Sequence, residues 1–354
     1  MSSDKKTGKK KAGKKKAGKK KLNAYDAIRG MIDDVITGNE MLDYECLPSA
    51  LPSLNLSIRG YPKPPGGYPR GAMTEVVGGS QTGKTRILLD MAAAAQEDDE
   101  NAIVYFFDSE RGVTRSLMDL HNVDKDRIVF IRPMCMEDMF LGVEKILKAS
   151  AGRSRLDGDP GAIIVDSVKG FPPSVELDMV DASNDGEKKG IPMALQGQLS
   201  SSHLPKIIPL LEKTKMLMGV SNQLRTKPGV VYGNPEYSTG GSSWEFYSGL
   251  RLKLTKGSKV KRSKTDDTIV GMNGTIQVIK SRVAWCWRKT SLIFAENGRL
   301  IDTGLLDIMI DKGLVSVDKA TGWHTYGDEK FYKANWPTVM DDNLIEIMDD
   351  LEGK

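Results

Sequence analysis

Eight residues carry the clearest chemical signal in the chain: Gly78-Gly79-Ser80-Gln81-Thr82-Gly83-Lys84-Thr85 satisfies GxxxxGK[ST] at every fixed position. In such a loop the glycines let successive backbone N–H groups turn inward around phosphates, and a following helix adds its N-terminal dipole. Lys84 then reaches the β- and γ-phosphates, and Thr85 offers its hydroxyl to magnesium. A cation held this way needs a second oxygen ligand from a neighbouring buried strand, and Asp166 supplies it after Ile163-Ile164-Val165. Hydrolysis also needs a group that orients or deprotonates water. Glu110 closes the run Val104-Tyr105-Phe106-Phe107-Asp108-Ser109, at the strand end where open α/β sheets bind ligands. The lesser alternatives are that Asp166 caps the next helix and that Glu110 is a surface acid opening one; beside the phosphate loop they read as metal ligand and base. Gln223, beyond the run Met216–Val220, reads on its own as a polar residue ending a strand, and becomes a candidate contact to the γ-phosphate only with the ten residues that follow it. ATP and Mg2+ are the cofactors these residues imply.

Such residues act together only if a framework sets them side by side. Beyond Gly71, short β-type runs alternate with helical segments, as in βα units that feed a parallel sheet. Strands are expected at Met73–Val77, Ala102–Phe107, Arg127–Ile131, Ala162–Val165 and Met216–Val220, with helices at Thr85–Gln96, Arg111–His121 and Met136–Ala149. Leu250–Leu254, Gly274–Ile279 and Leu292–Phe294 read as later, antiparallel strands. Ahead of the core, Tyr61 to Gly71 holds four prolines and three glycines, a turn-rich connector. Before that, Ala24, Ala27, Ile28, Met31, Ile32 and Val35 recur at helical spacing. Their apolar face can dock on the core or on a neighbouring subunit. From Thr303 the expectation is a short helix, a turn at Thr321-Gly322 and two further helices, ending in the acid-rich stretch from Asp341 to Glu352.

Composition narrows the class. With 354 residues and 39% hydrophobic content the chain can build one sizeable core and two or three modules. No apolar run approaches the roughly 20 residues of a membrane span, and no apolar stretch follows the charged N-terminus as in a secretory signal. A cytoplasmic protein without a membrane partner is expected. Cys46, Cys135 and Cys286 are widely spaced with no CxxC pair, which argues against a disulfide framework and a structural zinc site. His121, His203 and His324 are scattered and receive no role. The net charge of +4 hides an asymmetry, because residues 1–21 hold eleven lysines and one acid, leaving 40 basic against 46 acidic residues elsewhere. The body is mildly acidic, so affinity for nucleic acid must come from local basic loops and from this tail. The tail repeats Lys-Ala-Gly with nothing apolar to bury and is expected to be disordered. It either attracts a polyanion or merely balances charge.

One long stretch goes further. Asn222-Gln223-Leu224-Arg225-Thr226-Lys227, Val231-Tyr232-Gly233-Asn234-Pro235-Glu236 and Ser238-Thr239-Gly240-Gly241 together resemble the second DNA-binding loop of the RecA family of bacterial strand-exchange recombinases. Similar order and spacing extend over Pro48 to Asn335, and Asp108-Ser109-Glu110 with Gly304-Leu305-Leu306-Asp307 also resemble UvsX-type phage members. The resemblance implies a RecA-type P-loop NTPase core of α/β class with a mostly parallel central sheet. After the lysine tail at 1–21, which has no counterpart in the family pattern, it implies an N-terminal oligomerisation helix and connector at 22–70, the ATPase core at 71–302 and a small C-terminal α/β domain with an acidic end at 303–354. Lys84, Thr85 and Asp166 become phosphate and magnesium ligands, Glu110 the base and Gln223 the γ-phosphate sensor. Lys280 and Arg282, two apart and so on one strand face, would reach across a filament interface to the neighbour's triphosphate.

The DNA contacts implied are Arg225, Lys227, Tyr232, Gly233, Asn234, Thr239, Gly240 and Gly241, with Lys188 and Lys189 in a first loop spanning Glu176 to Pro192. Cations there serve phosphates, and aromatics serve bases. The implied activity is ATP-dependent filament formation on single-stranded DNA, pairing with a homologous duplex and strand exchange, with DNA-stimulated ATP hydrolysis. A ring helicase on the same core, or a mediator that binds DNA and uses nucleotide as a switch, are the alternatives. The chain departs from the family pattern at Leu117, where an aromatic residue stacks on adenine, and at Thr275 and Gln277, where basic residues stand. Lys259, Lys261, Arg262 and Lys264 in the preceding loop are candidates to replace the latter.

Overall fold

In the run Ala162-Ile163-Ile164-Val165 every residue is buried, the mark of a strand covered on both faces. Ile164 packs into an apolar cluster with Ile87, Leu88 and Met91 of the helix after the phosphate loop. Ile163 and Val165 join a second cluster with Phe140, Ile207 and Trp244. Alternate residues point to opposite faces, so one strand seeds two cores, and each fully buried aliphatic side chain contributes about 1.5–3 kcal/mol. A computed structural model describes residues 44–59, 66–151, 160–177, 195–226, 236–262 and 265–353. The lysine-rich tail, the helix expected at Leu22–Ile36, most of the first loop with Lys188 and Lys189, and Lys227, Tyr232, Gly233, Asn234 and Lys264 lie outside them.

The chain begins with strand β1 (Cys46–Leu47), helix α1 (Pro52–Arg59) and β2 (Tyr68–Pro69). Then follow β3 (Met73–Gly78), α2 (Lys84–Asp98), β4 (Ile103–Asp108), α3 (Arg115–Leu120), β5 (Ile128–Ile131), α4 (Met136–Ser150), β6 (Pro160–Asp166), α5 (Leu195–Thr214) and β7 (Leu217–Thr226). After them come β8 (Glu236–Ser238), α6 (Ser243–Tyr247), β9 (Leu250–Lys261), β10 (Ile269–Ser281), β11 (Lys289–Ala295) and β12 (Leu300–Asp302). The main sheet runs β12-β11-β10-β9-β3-β7-β6-β4-β5, with β8 added to β7 as a hairpin. From β9 to β5 all neighbours are parallel; β10, β11 and β12 continue antiparallel. The mixed α/β fold with a mostly parallel central sheet is therefore present. Among the described residues no helix is long and apolar enough to cross a membrane.

Several expected elements differ. β9 pairs in parallel with β3, Leu254 standing beside Gly78, and is antiparallel only to β10. Helix α3 starts at Arg115 rather than Arg111. The Asp108 carboxylate accepts from the Arg111 N–H at 2.7 Å and holds a turn there, and Thr114 caps the helix by accepting from the Leu117 N–H. Helix α1 falls inside the stretch read as leading into a connector. It is tied to the far sheet edge by Ser53, whose N–H and hydroxyl both donate to Asp302.

The C-terminal module has α7 (Gly304–Asp311), then β13 (Val315–Val317), β14 (Trp323–Tyr326) and β15 (Glu329–Tyr332) as a three-stranded sheet, then α8 (Trp336–Gly353). A hairpin therefore stands where the first of two helices was expected. Trp323 and Tyr332, directly opposed across it, stack at 4.0 Å. The module has its own core around Leu306, Phe331, Trp336 and Ile347.

Candidate functional site

The phosphate loop leaves β3 and enters α2 at one edge of a cleft of about 690 Å³. Gly83 has φ 89°, and a Cβ there would lie 2.3 Å from the Phe294 ring of β11, so the turn admits only glycine. Lys84 lies folded over the loop, its Nζ donating to the Gly79 carbonyl at 2.7 Å and to the Gly78 carbonyl at 3.4 Å. Burial holds its ammonium below the usual lysine range, against the pull of Glu110 and Asp166. Thr85 donates its hydroxyl to the Asp166 Oδ2 at 2.7 Å. Asp166 also accepts from the Ser221 hydroxyl. Burial raises its carboxyl above the usual range, while the Ser221 and Thr85 hydroxyls act in the opposite direction.

Glu110 stands two residues past β4, exposed, its Oε1 accepting from the Ser167 hydroxyl at 2.8 Å. It lines the same cleft as Thr85, Asp166 and Gln223. The structure thus brings together the residues Gly78, Gly79, Ser80, Gln81, Thr82, Gly83, Lys84 and Thr85 as one loop, with Asp166, Glu110 and Gln223 opposite. Gln223 lies within β7, which runs on to Thr226, and its Oε1 accepts from Lys169 Nζ at 3.1 Å. Leu117 and Met272 supply an apolar wall of the cleft.

Lys256 and Lys259 also line this cleft, and no motif pointed to them as cleft residues. Lys259 and Lys261 belong to strand β9 rather than to a loop. Lys261 pairs with Asp267 at 2.6 Å and Arg262 with Asp266 at 3.6 Å. The signal that could have found Lys256 and Lys259 is polar: a strand running past its last buried residue, Leu254, carries the next side chains beyond Gly78 on the adjacent strand.

Lys280 and Arg282 are not among the residues lining that cleft. They sit at the opposite end of the sheet, where Lys280 pairs in register with Arg251. Lys280 Nζ donates to the carbonyls of Glu245 and Phe246 at 2.6 and 2.8 Å, and Arg282 donates to that of Phe246 at 3.3 Å. Burial first, then the positive charges of Arg282 and Arg251, holds Lys280 below the usual lysine range. Next to the pair, Phe246, Trp285 and Trp287 are exposed.

The loop read as DNA-binding is described at its two ends. Arg225 is exposed and faces Tyr237 across the β7–β8 hairpin. Thr239 turns inward, its hydroxyl donating to Asn222 Oδ1 at 2.5 Å. Gly240 and Gly241 have φ of 83° and 93°, and a Cβ on Gly241 would lie 2.9 Å from the Gly197 Cα of α5. These two glycines bring the chain against α5 and, with Gln196, Gln198 and Ser201, line an open groove of about 610 Å³. Gln198 and Ser201 were not singled out by any motif.

Comparison with known proteins agrees with this geometry. The family model described as the RecA N-terminal domain matches residues 37–298. The chain is 33% identical over 293 residues to Protein RecA of Borrelia hermsii, covering 82% of this chain and 76% of that protein. It is 32% identical over 266 residues to Protein RecA of Borreliella burgdorferi, covering 75% and 68%. For Protein RecA of Limosilactobacillus reuteri the identity is 30% over 290 residues, covering 80% and 74%. With the phosphate loop, Asp166, Gln223 and the Lys280–Arg282 pair all inside the stretch that the family model matches, the chain belongs to the RecA family.

Proposed function

We propose that the chain is an ATP-dependent recombinase that assembles as a helical filament on single-stranded DNA and catalyses homologous pairing and strand exchange, with DNA-stimulated ATP hydrolysis. The observation that supports this reading is that Lys280 and Arg282 do not line the phosphate cleft of their own chain, at whose rim Glu110 stands. Filament formation joins one subunit's cleft to the next subunit's pair.

In the cleft, Lys84 exchanges the carbonyls of Gly78 and Gly79 for phosphate oxygens. Thr85 and Asp166, 2.7 Å apart, offer one hydroxyl and one carboxylate oxygen, a hard-oxygen pair that suits magnesium. Among the described residues no cluster of three or more His, Cys, Asp or Glu could hold a metal, so the remaining ligands would be phosphate and water. Held by Thr85 and Asp166, magnesium would supply charge neutralisation for the developing phosphate charge. Glu110, held by Ser167, orients and deprotonates the attacking water, and Gln223 contacts the γ-phosphate from β7. Arg225 and the Gly240–Gly241 turn present donors to the DNA backbone.

ATP turnover measured with and without single-stranded DNA tests the reading, together with electron microscopy using a non-hydrolysable ATP analogue. The expected result is strong stimulation by DNA and extended helical filaments. Closed rings, or turnover indifferent to DNA, would sink the recombinase reading in favour of a helicase or a nucleotide-switched mediator.

A further inference from the structure

The sheet contains a buried ion pair that neither half-site uses. Glu75, on β3 three residues before the phosphate loop, is wholly buried, and Arg251 on β9 stands beside it in register. Arg251 Nε donates to Glu75 Oε2 at 2.6 Å. A buried pair of this kind stabilises a fold no better than apolar residues of similar volume, so its placement calls for another reason.

Its partners supply one. Asn222 Nδ2 donates to Glu75 Oε1 at 3.0 Å and to the Thr239 carbonyl at 2.9 Å, while Asn222 Oδ1 accepts from the Thr239 hydroxyl and the Gln223 N–H. Gln223 lines the cleft; its neighbour on β7 points to the other face and grips the end of the loop. Arg251 donates to the Ser238 hydroxyl at 2.9 Å and pairs with Glu245 at 2.9 Å. Glu245 and Phe246 are the residues whose carbonyls hold Lys280. None of the buried polar atoms in this cluster lacks a partner. A displacement of β7 at Gln223 must therefore move Asn222 against Thr239 and Glu75, and through Arg251 reach Ser238 and Glu245.

We propose that Glu75, Arg251 and Asn222 are positioning residues that couple the state of the nucleotide cleft to the polynucleotide-binding loop and to the Lys280–Arg282 pair. The inference rests on the recombinase reading above. Thermodynamic coupling between two binding sites is reciprocal and is typically about 5- to 150-fold in affinity.

The test compares the full chain with Glu75→Gln and Ser238→Ala. Two ratios are read: the affinity for a single-stranded oligothymidylate with a non-hydrolysable ATP analogue against that with ADP, and ATP turnover with DNA against turnover without. Glu75→Gln keeps the shape and leaves Arg251 its Glu245 partner; both ratios are expected to fall about tenfold, with DNA-free turnover within about twofold. Ser238→Ala cuts only the tie to the loop, and a fall of about threefold is expected. A purely structural role would lower the melting temperature and both arms of each ratio together, leaving the ratios unchanged, and that result overturns the proposal. If Glu75→Gln does not fold, Ser238→Ala alone decides by the same criterion. A parent chain indifferent to DNA overturns the recombinase reading and the coupling with it; a responsive parent whose variants respond equally overturns the coupling alone.

Discussion

The two ends of the parallel strands hold their cations in opposite ways. At the cleft end Lys84 is enclosed by its own loop, Thr85 is bonded to Asp166, and Asp166 is bonded again to Ser221. At the other end Lys280 and Arg282 hold the carbonyls of Glu245 and Phe246 beside exposed aromatic rings. The first arrangement is finished within one chain. The second does not line the cleft of its own chain, and in the proposed filament it serves another subunit.

The largest effect that tests this division is expected from the double variant Lys280→Ala/Arg282→Ala. A cation supplied to phosphoryl transfer from a second subunit is worth about 10³- to 10⁵-fold in rate, so DNA-stimulated turnover should fall about 10³-fold, while dispersed protein still binds ATP with affinity within about twofold of the parent. A collapse of nucleotide binding in the dispersed protein would erase the distinction between the two ends. Lys84→Ala is next, with turnover expected to fall about 10²- to 10³-fold and nucleotide affinity to drop in dispersed protein too. Mixing these two inactive proteins should restore some turnover, because intact half-sites meet at mixed interfaces; a mixture as inactive as its components would contradict supply from the neighbour.

The smallest effect concerns the helix behind the cleft. Asp90 on α2 is fully buried, accepting from Tyr68 Oη at 2.7 Å and the Ala50 N–H at 3.0 Å, and burial pushes its carboxyl up to about 6. The folded state therefore binds this proton more tightly than the unfolded chain. Its cost to stability is absent below about pH 4, grows as the pH rises to about 6, and is full above that. Asp90→Asn should raise the melting temperature at pH 7.5 by a few degrees, for a gain of about 2 kcal/mol, and flatten its dependence between pH 4 and 6. An unchanged slope over that window would show that Asp90 is not the group responsible.

Reading by sequence worked where local pattern and chemistry coincide. The phosphate loop fixes its own neighbours, and the all-apolar run before Asp166 can only be an inner strand. It failed where partners distant in the chain decide. Helix α1 is held by Asp302, 249 residues away, through Ser53. The helix Leu195–Thr214 contains Pro205 and Pro209, which a propensity reading takes as breakers. Lys256 and Lys259 reach the cleft because β9 continues past its apolar half, and no periodicity marks the exposed remainder. The network of Glu75, Asn222 and Arg251 was invisible because the three lie on separate strands, Glu75 and Arg251 being 176 residues apart, until the sheet brings them together.

The posture of Lys84 sets the terms on which any ligand enters. Both the Gly78 and Gly79 carbonyls accept from its ammonium, so a ligand that takes the ammonium must replace those bonds. A neutral hydroxyl or amide offers the ammonium nothing better than the carbonyls it has. A phosphate oxygen does, since hydrogen bonds between charged partners are roughly twice as strong as neutral ones. The ammonium therefore favours charged acceptors over neutral ones by the strength of the bond alone.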